Sequence, residues 1–577
     1  MKAKFLTVLV VLVLTAGFAF AEGGSEDQTS AAVSTGEPQY GGTLTMIQDP
    51  TRQGADPVSP NRMASGTSAH HFWRQGFEEQ PLIGDFVTYG PRGNDMFAFE
   101  VRGYIPLTYM KGQLLESFTV EADRLVWKVR EGVYWHGNKP NVMASREFVA
   151  DDLVWWVNYR RGAPAGTAIK ASINEAKKID KYTLEIPFSK GYDFMVMYLI
   201  GYEDRTSVEP RESVEAGADQ WDNYVGTGPF MNGEYVVGSY MKFVRNPDYY
   251  ESTTIDGKEY QLPFVDEVIY PIIPEESSRI ASLRTGKVDW HALVPAAQWA
   301  VLDRDKDIVA KKSVGAVGQT AALQVNKAPF DDINVRRALM IGTDMTAFNR
   351  LLGASGIEMP IDWWPAYPGD PAVYTPIDQL PSDGQELYDY DPDQAKKMLA
   401  DAGYPDGFKM EVVIENTPVA QDRGSLLASQ WAQIGVEVDV NVCDNATYYG
   451  YRYDKNFDDA LITVVETPGA VFVLQRTGYT GATLNPGNYS SPDLDAKIDK
   501  IVSTRDIDAM NKLTKEACVD MLLDVPAIPL QVGLDGYYWW PWIQNYYGEF
   551  NVADANQPVP LFAHMWIDQN MKEEMGF

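Results

Sequence analysis

Histidine and cysteine are scarce in this chain: its 577 residues include five histidines and two cysteines. None of His70, His71, His136, His291 and His564 stands at the HExxH spacing of a zinc helix, and no CxxC pair occurs, so spacing reveals no metal site. There is no GxxxxGK[ST] phosphate loop, no GxGxxG opening a helix after a strand and no GxSxG nucleophile elbow. No cofactor is expected, and the chain has no ATP site of its own. Positive charge is also short, with 49 Lys and Arg against 80 Asp and Glu, a net of −31. Such a surface repels phosphate backbones, and nucleic acid is not an expected partner. One long apolar run exists, Phe5 to Leu14, too short for a membrane span of about 20 residues. Apart from the leader described below, repeats, Pro/Gly/Ser-rich tracts and single-charge blocks are missing too, so composition marks no boundary between domains.

That apolar run follows Lys2 and Lys4 and ends in Ala19-Phe20-Ala21, the layout of a secretory signal peptide over residues 1–21. With no cysteine at the junction for lipid attachment, the expectation is a free periplasmic protein cleaved after Ala21. Residues 22–38 (EGGSEDQTSAAVSTGEP) are small, polar and aperiodic, a flexible leader. Cys443 and Cys518 would reach a compartment that permits disulfides. Sequence does not decide their pairing; two unpaired buried thiols are expected, because free cysteine is among the most buried residues and a core this large needs no staple.

At 45% hydrophobic and 22% charged, the rest has the composition of a folded protein of more than one domain. Leu125 to Val129 and Met410 to Ile414 alternate as strands. Asp391-Pro392 opens a helix that Gly403 stops, with Ala395, Met398, Leu399 and Ala402 on its buried face. A second helix begins at Ser491-Pro492 and buries Leu494, Ile498 and Ile501. A third follows Asp332 and buries Val335, Ala338 and Leu339. Strands interleaved with helices make an α/β chain. The excess is aromatic: 15 Trp, 32 Tyr and 23 Phe, clustered at Trp363-Trp364-Pro365-Ala366-Tyr367 and Tyr537-Tyr538-Trp539-Trp540-Pro541-Trp542. These rings read either as core and rim packing or as the wall of a ligand cleft, where rigid contact area suits sugar faces or varied side chains.

Five stretches in order carry a resemblance. Leu114 to Asp152 holds LLESF, LVWKVREGVYWHGNKP and FVADDLVWW; Val225 to Tyr250 holds VGTGPF and VRNPDYY. LPFVDEVIYPIIPEESSRIASLRTGKVD (Leu262 to Asp289), LQVNKAPFDDINVRRAL (Leu323 to Leu339) and YDPDQAKKMLADAG (Tyr390 to Gly403) follow. Together they resemble the extracellular solute-binding proteins of family 5, the dipeptide- and oligopeptide-binding proteins of ABC importers, over roughly residues 40 to 570. The departure is Gly137-Asn138 after His136, where the family has Asp then Gly. Most of these residues are turns, caps and strand edges that identify the family without marking its site.

The resemblance implies a two-lobed α/β periplasmic binding protein fold (type II, with an enlarged first lobe) hinged on two crossing strands. Lobe one would span 39–316 and lobe two 317–532, with 533–577 returning to lobe one. It implies no enzyme activity: the chain would capture short peptides or similar extended solutes by lobe closure, act as a monomer and deliver its ligand to an ABC permease. Peptide-binding members hold the ligand's amine with an acid just after a Gly-Trp pair; here Glu466 stands at that place, with Ile462-Thr463 where Gly-Trp is expected. Phe72, Trp363, Trp364, Tyr367, Trp539 and Trp540 complete the expected ligand-binding set. An oligosaccharide binder of the same family with an aromatic cleft is the alternative. From another class, a secreted glycoside hydrolase could hide its carboxylate pair among 80 acids, because such pairs are defined in space and not by a local motif.

Overall fold

Two long strands organise the computed structural model, which describes residues 36–47, 78–100, 105–137, 141–163, 166–202, 206–217, 220–351, 357–466, 469–553 and 559–577. The expected signal peptide, most of the leader, His70, His71 and Phe72 lie outside the described residues. Ten strands share one mixed sheet: β1 (Thr43–Ile47), β2 (Phe230–Val236), β3 (Tyr240–Arg245), β4 (Glu267–Pro271), β5 (Trp290–His291), β6 (Val309–Leu323), β7 (Phe408–Glu415), β8 (Val436–Cys443), β9 (Ala460–Glu466) and β10 (Ala527–Trp539). Their spatial order is β8-β7-β9-β6-β10-β5-β1-β4-β3-β2.

The long pair β6 and β10 runs antiparallel from Val309 opposite Trp539 to Ala322 opposite Ala527. The C-terminal half of β6 also pairs with β9, from Val317 opposite Glu466 to Leu323 opposite Ala460. At the other end Tyr538 and Trp539 of β10 pair with β5. Each long strand therefore belongs at one end to one lobe and at the other end to its neighbour, which produces the two-lobed α/β fold. The first lobe is enlarged by a separate four-stranded sheet containing Leu115–Val120, Arg124–Val129, Thr183–Pro187 and Lys177–Lys178.

Local chemistry explains the elements. Arg124–Val129 exposes and buries alternate residues, putting Leu125, Trp127 and Val129 in the core at 0% exposure. The helix Pro392–Asp401 starts where the Asp391 carboxylate accepts the Gln394 N–H at 2.9 Å and Pro392 takes the first turn. Ala395 and Leu399 are its fully buried residues, with Met398 and Ala402 half-buried. Helices Pro492–Ser503 and Ile333–Ile341 bury the apolar residues that their periodicity anticipates. Between the helix Pro392–Asp401 and β7 the chain turns at Gly407, with φ +72°; a Cβ there would lie 1.7 Å from the Gly435 carbonyl oxygen, so only glycine fits. Cys443 and Cys518 are both free and buried, and burial pushes the Cys518 thiol well above its ordinary range. Among the described residues no helix is long and apolar enough to cross a membrane.

Candidate functional site

A cavity of about 570 Å³ lies between the lobes, within the size range of small-ligand sites. The first lobe lines it with Arg160, Ser172, Asp193 and Leu199, and the second with Gln475 and Arg476. Part of each wall is a wide helical turn. In the first lobe Met195–Met197 passes into the π turn Tyr198–Tyr202; in the second Ala470–Val473 passes into the π turn Leu474–Gly478. A π turn is rare and widens the helix locally, so its side chains splay. The two turns meet directly: the Tyr198 and Phe472 rings pack edge to face with centroids 4.8 Å apart. Beside them the Phe194 N–H donates to the Val502 carbonyl at 2.7 Å.

Charge in this cavity is held in place by rings and backbone. Arg160 donates from Nη1 to the Leu199 carbonyl at 2.8 Å, and its guanidinium lies 4.8 Å from the Trp156 ring centroid. Arg476 stands 5.0 Å over Phe472. Asp193 accepts the Ser172 hydroxyl at 3.2 Å and the Met195 N–H at 2.9 Å. Burial nevertheless raises its carboxyl above the ordinary range, because desolvation outweighs those two bonds. Fixed cations, a carboxyl group and apolar walls can orient a polar or extended solute. No group of three or more His, Cys, Asp or Glu among the described residues is arranged to hold a metal ion.

A second, much smaller cavity of about 30 Å³ lies in the second lobe, lined in part by Thr320, Trp364 and Leu484; Leu484 also lines the large cavity. Trp364 Nε1 and Thr320 Oγ1 are buried there with no hydrogen-bond partner. The space exceeds the roughly 10–15 Å³ that one water molecule needs.

The sequence-predicted site residues separate into two groups. Trp363, Trp364 and Tyr367 come together beside the middle of β6. Trp363 is fully buried, with its ring over Gly318. Tyr367 donates its hydroxyl to the Val314 carbonyl at 3.1 Å; burial first, then Glu100 and Asp535, pushes its phenol up to about 12. Glu466 ends β9 opposite Val317. Trp539 and Trp540 lie at the other end of β10, where packing occupies their rings. Trp539 meets Tyr546 edge to face at 4.7 Å, while Trp540 stacks on Trp542 at 4.6 Å and donates from Nε1 to the Leu283 carbonyl. Arg160, Asp193 and Arg476 carried no sequence signal, since an arginine or aspartate near a helix end reads as solvated surface. Neither π turn has a composition of its own.

The family model described as bacterial extracellular solute-binding proteins, family 5 (middle) matches residues 110–469. Heme-binding protein A of Haemophilus influenzae is 24% identical over 476 residues, covering 73% of this chain and 79% of that protein. The dipeptide-binding protein of Escherichia coli is 25% identical over 446 residues, covering 72% and 76%. The solved dipeptide-binding protein of Pseudoalteromonas sp. SM9913, in complex with Met-Leu, superposes with a TM-score of 0.66 at 19% identity over 91% of this chain and 100% of that one. These relatives are binding proteins, in agreement with the expectation that the chain is not an enzyme.

Proposed function

The chain belongs to the bacterial extracellular solute-binding proteins of family 5, and from that premise we propose that it captures short peptides or similar extended solutes in the periplasm and passes them to an ABC permease. The observation that carries this reading is the cavity of about 570 Å³ with walls from both lobes. A solute bridging Arg160 and Asp193 on one side and Arg476 on the other gains contacts only when the lobes are together, and that differential affinity is what drives closure. No bond in the solute has to be made or broken. The dipeptide specificity of two relatives supports the peptide class. We place the lobe boundaries at 316/317 and 532/533, where the β6–β10 ladder is irregular, with 533–577 returning to lobe one. We propose further that the chain works in the periplasm as a monomer, as the family resemblance implies. Glu466 remains our candidate for the ligand's amine, and Trp364, beside the small cavity, the candidate aromatic contact.

Mass spectrometry of solute retained through gentle purification tests the reading, followed by thermal shift against Met-Leu, longer peptides, glutathione and oligosaccharides. Peptides are expected to raise the melting temperature. Stabilisation by oligosaccharides alone would move the ligand class to sugars. Turnover of a chromogenic glycoside would remove the transport reading altogether.

A further inference from the structure

The crossing strand β6 is not regular where it passes between the lobes. Val314 pairs with Leu534 and Gly318 with Val532, so Gly315, Ala316 and Val317 stand opposite Gly533 alone. A ladder broken in this way bends the strand, and its backbone groups must find partners elsewhere. Two side chains attend the break. The Tyr367 hydroxyl donates to the Val314 carbonyl at 3.1 Å. At the far edge, a Cβ on Gly318 would lie 2.3 to 2.6 Å from atoms of the Trp363 ring, which therefore rests directly on the strand. Both come from the same short segment, and second-lobe contacts hold that segment: Trp364 borders Cys518 and Leu522 of the helix Ile507–Asp524, and the Tyr388 hydroxyl donates to the Trp364 carbonyl at 3.3 Å. On the strand's other side Asp535 crowds Gly315, where a Cβ would lie 2.9 Å from its Oδ2.

We propose that Tyr367 and Trp363 are positioning residues for lobe closure: fixed to the second lobe, they brace the bulge of the crossing strand, so that reorienting the lobes makes or breaks the Tyr367–Val314 bond. The proposal rests on the lobe-closure reading above and adds to it a residue pair that sets the balance between open and closed forms. Within the Trp363-Trp364-Pro365-Ala366-Tyr367 cluster, read from sequence as a ligand platform or as packing, Trp363 and Tyr367 then brace the hinge, and Trp364 stays the candidate ligand contact. The phenol stays a donor across the working pH range, because burial and the neighbouring Glu100 and Asp535 keep its proton on.

The test measures interlobe distance by electron–electron resonance between spin labels at Glu121→Cys and Asp401→Cys, both exposed and one in each lobe, with Cys443→Ala and Cys518→Ala in the background. Small-angle scattering of Tyr367→Phe in the otherwise native chain gives a label-free duplicate. Tyr367→Phe should change the ratio of distance populations about three- to tenfold, the worth of one hydrogen bond, with little change in melting temperature. Gly318→Ala should shift it as well, and Trp363→Phe added to Gly318→Ala should restore part of the shift by shrinking the obstructed ring. Tyr390→Phe, which removes an exposed second-lobe hydroxyl bonded to Gln433 and away from both the strand and the segment that braces it, should leave the distribution alone. Identical distributions for Tyr367→Phe and its parent, or an equal change in Tyr390→Phe, would overturn the proposal. If Met-Leu, glutathione and oligosaccharides move neither distance nor melting temperature while Tyr367→Phe still shifts the distance populations, the solute reading fails and the brace stands.

Discussion

Glu79 is a buried carboxyl facing two phenols and a second carboxylate. Its Oε1 accepts from Gln113 Nε2 at 3.2 Å, Tyr249 at 2.9 Å and Tyr250 at 3.0 Å; Tyr249 also lies 3.1 Å from Glu251. One phenolic proton cannot serve two carboxylates at once. Desolvation, then repulsion from Glu251, raises Glu79 from 4.5 to about 7 despite hydrogen bonds that favour the charged form. A folded pKa above the unfolded value means that the folded state holds the extra proton between those limits. Stability therefore falls as pH rises from about 4.5 to about 7 and levels off above, by up to about 3 kcal/mol. Urea midpoints at pH 5 and pH 8 should differ less in Glu79→Gln than in the native chain. Equal differences in both would show that this group does not control the slope.

Among the elements, the helix Pro392–Asp401 shows how much of the fold could be read directly. Its cap, first-turn proline, buried stripe and glycine stop all follow from spacing, because they are local rules of helix geometry. Asp391→Ala should cost about 1 kcal/mol by losing the Gln394 cap bond. Leu399→Ala should cost about 2 to 5 kcal/mol, since Leu399 is 1% exposed. Lys397→Ala, on the exposed face, should stay within about 0.5 kcal/mol. Denaturant unfolding ranks the three, and an Asp391→Ala cost within the about 0.5 kcal/mol of an ordinary surface change would mean that the cap contributes nothing. The strand β6 behaves differently: the family resemblance implies a strand over Thr320 to Asn326 at the start of lobe two, yet the strand runs Val309–Leu323. Its first half, VAKKSVG, mixes apolar and polar residues with no period of two and is held by β10 alone among the described strands, so alternation could not reveal it.

For the molecule as a whole, a single sheet runs through both lobes, so the proposed closure would be a bend in β6 and β10 rather than the sliding of separate bodies. A solute that stabilises the chain should also lower its radius of gyration, since the same binding energy acts on both. Scattering and melting curves recorded on the same samples check this. A solute that raises the melting temperature by several degrees and leaves the scattering profile unchanged would argue against closure as the mode of capture.

What the sequence determined alone is what short range decides. Helix caps, alternating strands and turn glycines set the elements, and their order along the chain resembled the family to which the chain belongs. What only the tertiary structure decided is which residues meet. Trp539 and Trp540 look as suited to a cleft as Trp363 and Trp364, but β5 and the Leu283 carbonyl claim the first pair and β6 the second. Arg160, Asp193 and Arg476 stand far apart in the chain and converge at one cavity. Residue type and spacing describe a side chain's chemistry. Its neighbours depend on how two lobes fold around strands they share, and no local pattern encodes that.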